Sequence, residues 1–298
     1  MSTISRRSLL KTMTAATSLA IIPLSASAGQ SIEWSALRGD DKDFHRAPVL
    51  LTGEKDAILI DGSFNYGAGT ELVEKIRASG KRLTTIYVSV NDPDYYFSLK
   101  PVKEAFPEAR VVAASETIKK IRQKVQNKLD VWGPVLGEYG PQTQDDVVFP
   151  EADDTSTLTL EGETIEIITS ETMEDRRYLW SPSLQAVFGG VYVFDGLHVW
   201  TADTPTPQDR ANWIAELDSL IARNPKIVVA GHAAQGTNNG VESLKFTREY
   251  LLAYEDEVKK AANSDELIAA MKKLYPDLGL LPALEIGAKV AKGEMKWS

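Results

Sequence analysis

From residue 47 onward the apolar residues fall in short dense runs, with longer stretches of helical spacing between them. The runs 47–51 and 57–61 flank the turn Gly53-Glu54-Lys55-Asp56 and predict two short strands. Residues 70–79 place Leu72, Val73 and Ile76 on one face and stop at Gly80, which predicts a helix. A β-rich run at 83–90 ends abruptly in Asn91-Asp92-Pro93-Asp94. A helix at 98–106 and a strand at 110–114 are expected next. A helix from Ser115 follows, its stripe made by Ile118, Ile121, Val125 and Leu129. Residues 130–155, with Gly133-Pro134 and Gly140-Pro141, read as a long polar connection.

Strands are expected again at 157–160, 164–169, 178–181 and 186–194, the first two joined by the turn Glu161-Gly162. Thr206-Pro207 opens a helix, with threonine as N-cap and proline at the first helical position. Asn224-Pro225 closes it, and a buried strand at 226–230 leads straight into Gly231-His232. Beyond Val241 the pattern is mostly helical. Alternating strands and helices with hairpins mixed in predict an α/β domain of two sheets between helical layers. A doubly wound parallel sheet is the alternative, but no Gly-rich phosphate loop supports it.

Composition narrows the chemistry. The chain has 298 residues, 43% of them hydrophobic, as for one large globular domain or two small ones. It has 0 Cys, so any metal would be held by nitrogen and oxygen. With 33 Lys+Arg against 42 Asp+Glu the formal charge is −9, which argues against nucleic acid as a partner. The N-terminus changes the picture again. Ser5-Arg6-Arg7-Ser8-Leu9-Leu10-Lys11 resembles a twin-arginine export motif, and Ala26-Ser27-Ala28 predicts cleavage after Ala28. The intervening apolar stretch is short and threonine-rich for a membrane span. The expectation is a signal peptide at 1–28 and one domain at 29–298, periplasmic or secreted, with no stable membrane insertion after cleavage. An ordinary secretory signal or a membrane anchor is the alternative.

The run Ala57-Ile58-Leu59-Ile60-Asp61-Gly62 and the later strand Ile86-Tyr87-Val88-Ser89 resemble the opening of the metallo-β-lactamase superfamily fold. The resemblance implies an αββα four-layer sandwich. It also implies a His-x-His-x-Asp-His motif at the second strand end, where this chain reads Val90-Asn91-Asp92-Pro93-Asp94-Tyr95. Val90, Asp92 and Tyr95 thus stand in the histidine positions, and Asp94 keeps its identity. Ser170-Glu171-Thr172 matches the Gly-His-Thr loop, and Gly189-Gly190-Val191 the Thr-Gly-Asp stretch whose aspartate bridges two metals. His232, after a buried strand, matches the last ligand. Asp-Pro-Asp, with Leu284-Glu285-Ile286-Gly287-Ala288-Lys289, resembles a subgroup of exported metallo-hydrolase relatives.

In the intact family two ions activate a bridging water and polarise the substrate. By the resemblance, Asp92, Asp94, Glu171 and His232 are the metal candidates, sufficient for at most one divalent ion, zinc being the first choice, or none. Asp94 and His232 are the catalytic candidates, with Tyr95 and Tyr96 placed to meet substrate. The expected carboxylates would favour a charged His232 when no metal is present. His45 and His198 match no ligand position. Asp175-Arg176-Arg177 is a solvated charge run or a contact to an anionic ligand. Three functions follow: a hydrolase of esters, lactones or amides with a reduced metal site, a metal-free periplasmic binding or accessory protein, or acid–base chemistry by Asp92 or Asp94 with His232. Each handles a small molecule.

Overall fold

A computed structural model describes residues 32–173 and 175–297. The expected signal at 1–28 lies outside the described residues. The first sheet runs in the order β1 (Glu33–Ala36), β2 (Val49–Thr52), β3 (Asp56–Ile60), β4 (Arg82–Tyr87), β5 (Arg110–Ala113) and β6 (Glu151–Ala152). β1 to β3 pair antiparallel, and β3 to β6 pair parallel through helical crossovers. The crossovers are α1 (Tyr66–Ser79), α2 (Leu99–Ala105) and α3 (Ser115–Leu136).

The second sheet contains β7 (Thr157–Leu160), β8 (Glu163–Thr169), β9 (Arg177–Ser181) and β10 (Ala186–Phe188). Two short parallel strands follow in sequence, β11 (Phe194–Asp195) and, after α4 (Pro207–Ala222), β12 (Ile227–Val228). β12 joins the sheet beside β10. β13 (His232–Ala233) pairs instead with β11. The chain ends in α5 (Val241–Lys260), α6 (Ser264–Leu274) and α7 (Leu281–Ala291).

Strand alternation explains the layering. Val49, Leu51, Ile58, Ile60, Tyr87 and Val112 point into a core shared with Ile165, Leu179 and Phe188 of the second sheet. Their neighbours Leu50, Ala57, Leu59, Ile86, Val111 and Ala113 point the other way and meet the helices. Both faces of the first sheet are therefore buried, which is why its strands read as continuous apolar runs rather than alternating ones.

Two expectations need correcting. Residues 130–136 are not loop, because α3 continues through Gly133-Pro134 to Leu136. Its buried stripe extends with Gly133 and Leu136, and Gln142 Nε2 donates to the Gly133 carbonyl at 3.1 Å. Proline near a helix end removes only one backbone bond. The strand expected at 186–194 breaks after Phe188. Gly189 and Gly190 take φ of 66° and 72°, a left-handed backbone that cannot continue an extended ladder. A Cβ on Gly190 would lie 2.1 Å from the Arg177 carbonyl oxygen. This bend throws Val191–Val193 out of the sheet toward the strand ends. Among the described residues no helix is long and apolar enough to cross a membrane.

Candidate functional site

The C-terminal ends of β3 and β4, the turn at 92–95, the Gly189-Gly190 bend and Gly231-His232 converge at one edge of the sandwich. Arg46, in the segment before β2, sits at their centre and is 1% exposed. Its Nε donates to the Asp94 carbonyl at 3.0 Å, and Nη1 donates to the Gly231 carbonyl. Its guanidinium lies 3.5 Å from the Asp94 carboxylate and 3.7 Å from that of Asp61, with its carbon 3.4 Å from the centre of the Tyr95 ring.

Asp61 accepts from Ser89 N at 2.7 Å and Ser89 Oγ at 2.9 Å, and Ser89 Oγ accepts from Gly190 N at 2.9 Å. Tyr95 closes the circuit, its hydroxyl donating to the Gly190 carbonyl at 3.0 Å. Arg46 thus touches three segments directly, at 61, 94–95 and 231, and Asp61 and Tyr95 extend the network to Ser89 and Gly190. Burial raises Asp61 to about 6 and Asp94 to about 7, with Arg46 opposing the shift in both.

His232 is fixed from three sides. Its ring stacks on Phe194 with centroids 4.7 Å apart, and Nδ1 lies 2.7 Å from the Phe44 carbonyl. A carbonyl only accepts, so Nδ1 carries the proton and Nε2 presents a lone pair, 3.4 Å from Asp94 Oδ2. Burial, reinforced by Arg46, lowers the imidazole to about 3. The expected charged His232 is therefore overturned. Arg46 supplies a positive charge that the motif did not show.

A cavity of ≈ 50 Å³ opens beside this pair, walled by Phe44, Trp132, Phe194, Trp200 and Trp297, with Asp92, Asp94 and His232 at its base. Asp92 and Asp203 also border a polar cleft of ≈ 300 Å³ that adjoins it, lined by Lys124, Thr172 and Arg176 among others. Asp92 pairs with Arg176 at 3.3 Å, and burial, then the neighbouring Asp203, raise its pKa.

The sequence-predicted residues divide. Asp92, Asp94, Tyr95 and His232 meet at the cavity. Glu171 sits exposed in the bend after β8 and is not among the cavity residues. Tyr96 is 1% exposed and packs edge-on against Phe97 in the core, away from the cavity. The run at 175–177 is not a solvated surface. Asp175 is buried, accepting from Thr117 Oγ1, Asn91 Nδ2 and Arg177 Nη1. His45 pairs with Asp41, and His198 meets Tyr250 in the interior, both away from the cavity.

A metallo-β-lactamase from Pontibacter korlensis superposes on 74% of this chain and 99% of its own, at 18% identity and a TM-score of 0.52. The fold is that of the metallo-β-lactamases. A crystal structure of VMB-1 at pH 5.5 aligns with 75% of this chain and 93% of that one, at 19% identity and a TM-score of 0.49. No family model and no curated protein matches the chain.

On this metallo-β-lactamase fold the residues present do not fit the implied pair of ions. Val90 and Val191 carry no donor, Asp92 is engaged by Arg176, and Glu171 is outside the cavity. Among the described residues no group of three or more His, Asp or Glu side chains is placed to hold a metal. The four-residue ligand set expected from the motif is thus not assembled. Asp94 and His232 alone remain adjacent, and Asp94 already faces the guanidinium of Arg46.

The motif comparison missed Arg46, Lys128 and the three cavity tryptophans. One signal was available. Lys128 falls on the apolar stripe of α3, three residues after Val125 and beside Leu129, where a solvated lysine does not belong. Arg46 interrupts the approach to an apolar strand, but nothing local says which carboxylates it meets.

Proposed function

We propose that this protein binds a small molecule in the aromatic cavity at the strand ends, independently of a metal ion. The observation that carries this reading is the Arg46 network. A permanent cation already neutralises the carboxylates at the place where the resemblance puts ions, while the cavity beside it stays lined by aromatic walls. Such walls with a few convergent polar groups suit a small ligand.

A second reading is favoured by the His232 tautomer. Its free Nε2 beside Asp94 has the arrangement of an acid–base pair, which would serve ester, lactone or amide hydrolysis. A single zinc ion on Asp94 and His232 would need its other ligands from water or substrate. The paired arginines and Ala26-Ser27-Ala28 support action in the periplasm or outside the cell.

Titration with 2-phenylethanol, followed by tryptophan fluorescence with and without EDTA, tests the reading. Saturable quenching that EDTA leaves unchanged is expected, because three tryptophans wall the cavity. Quenching abolished by EDTA and restored by zinc would overturn it. Turnover of phenyl acetate that resists EDTA and disappears in His232→Ala would select the acid–base reading instead.

A further inference from the structure

Lys128 is 5% exposed, yet its ammonium reaches the cavity wall. Among the described residues no carboxylate lies within ion-pair distance of it and no acceptor takes a hydrogen bond from it. Its partner is the face of Trp297, with Nζ 4.9 Å from the ring centre. A lysine this buried is ordinarily paired, because desolvating an ammonium without an acceptor is costly. The cavity is where the missing acceptor can enter.

The surroundings point the same way. Lys124, one helical turn earlier on α3, lines the adjoining polar cleft and likewise makes no ion pair or hydrogen bond among the described residues. Both lysines act on Asp92, which also feels Arg176 and Asp203. Arg176 is committed to Asp92 at 3.3 Å, and Asp203 accepts from Trp200 Nε1 at 2.7 Å. The cavity and the cleft are together lined by Lys120, Lys124, Lys128 and Arg176 and by Asp92, Asp94, Asp203 and Asp209, and among the described residues none of these carboxylates is within ion-pair distance of Lys124 or Lys128.

We infer that Lys128, assisted by Lys124, is an oxyanion subsite, and that the ligand is an aromatic or apolar molecule bearing a carboxylate or phosphate group. The apolar part would lie among Trp132, Trp200 and Trp297 and the anion would accept from Lys128 Nζ. An ammonium is a compact point charge and reads negative charge rather than a particular planar group, so either anion serves. This inference rests on the cavity being a ligand site, as proposed above.

Four probes separate the two ideas: 2-phenylethanol, phenylacetate, phenyl phosphate and 2-phenylethylamine, each titrated into the full chain at fixed ionic strength. At least one of the two anions should bind roughly tenfold more tightly than the neutral alcohol, and the amine more weakly than it, in keeping with one charge-assisted hydrogen bond. In Lys128→Met the ratio of anion to alcohol affinity should fall to about one. In Lys124→Met it should fall by less, and Lys128→Arg should restore it in part. Alcohol binding without preference for either anion would overturn the subsite and leave the cavity reading standing. Failure of every probe to bind would overturn both. A preference unchanged in folded Lys128→Met would also overturn the subsite, and the wild-type ratios need no variant at all.

Discussion

Arg46 and Lys128 are both buried cations at the same edge of the sandwich, 1% and 5% exposed, and their surroundings are opposite. Arg46 donates to two backbone carbonyls, faces Asp61 and Asp94, and sits over the Tyr95 ring. Lys128 has one aromatic face. A guanidinium offers five donors in a rigid fork and satisfies several groups at once, whereas an ammonium on a flexible stem can wait for a partner from outside. Full pairing marks a group whose work is holding the fold. Missing pairing in a cavity marks a group whose work needs a ligand.

The hardest blow to that contrast is Arg46→Met. Removing the cation leaves Asp61 and Asp94 buried without their counter-charge and takes one of its two donors from the Gly231 carbonyl, which keeps the Ala47 N–H at 3.1 Å. Breaking a buried pair in this way costs about 3–5 kcal/mol. In a domain of this size that corresponds to a fall in Tm on the order of 10 °C. Thermal unfolding of Arg46→Met near neutral pH checks it; a Tm within 2 °C of wild type, or about that, would mean the network contributes little.

Lys128→Met should do the reverse. It exchanges a poorly paired buried charge for an apolar chain of similar length, so stability should hold to within ~1 kcal/mol or rise. A large loss in this variant would show that Lys128 has a structural partner and would erase the distinction between the two cations. The same melting experiment serves both variants.

The layers of the fold were legible because each strand and helix carries its own period. Leu50 and Leu51 go to different cores simply because neighbouring strand residues face opposite ways. The site was legible only where a motif position still held a polar residue, as at Asp94 and His232. Glu171 and Tyr96 were misplaced because sequence order marks which loop a residue is on, not which way it turns. Arg46 could not be placed, because its partners lie 15, 48, 49 and 185 residues away along the chain. The extent of α3 was missed because Gly133-Pro134 is a strong local stop signal that the continuing apolar stripe overrides.

A pH series sharpens the Arg46 side of the comparison with a smaller effect. Asp61 stands at about 6 in the fold against an ordinary 3.8, burial being the main cause. Between about pH 4 and 6 the folded chain therefore keeps a proton that the unfolded chain has released. Stability from this group is full at the acid end and falls as pH rises through that window. Asp61→Asn resembles the protonated carboxyl and lacks this dependence. The Tm of the variant relative to wild type should climb from pH 4 to 6 and then level off. A difference that stays flat over the whole range would mean Asp61 is ionised throughout in the fold.

The smallest effect belongs to Trp297, and it bears on the Lys128 side. This residue follows α7, meets Trp200 edge-on with centroids 5.3 Å apart and covers the Lys128 ammonium. Among the described residues its buried indole Nε1 has no hydrogen-bond partner, and the ring is held there by its faces and edges. Trp297→Ala removes one cavity wall and one cation–π contact, the latter worth about 0.5–1 kcal/mol at a partly exposed site. Tm should move by only a few degrees, about 1–4 °C for a loss of that size. The ligand readout should move more, because the wall that stacks on an aromatic probe is gone while Lys128 remains. Affinity for phenylacetate and for 2-phenylethanol should therefore fall together, preserving their ratio. Lys128→Met should change the ratio. If Trp297→Ala instead abolished the preference for the anion, the aromatic face and the ammonium would be acting as one element, and the charge on Lys128 could no longer be credited separately.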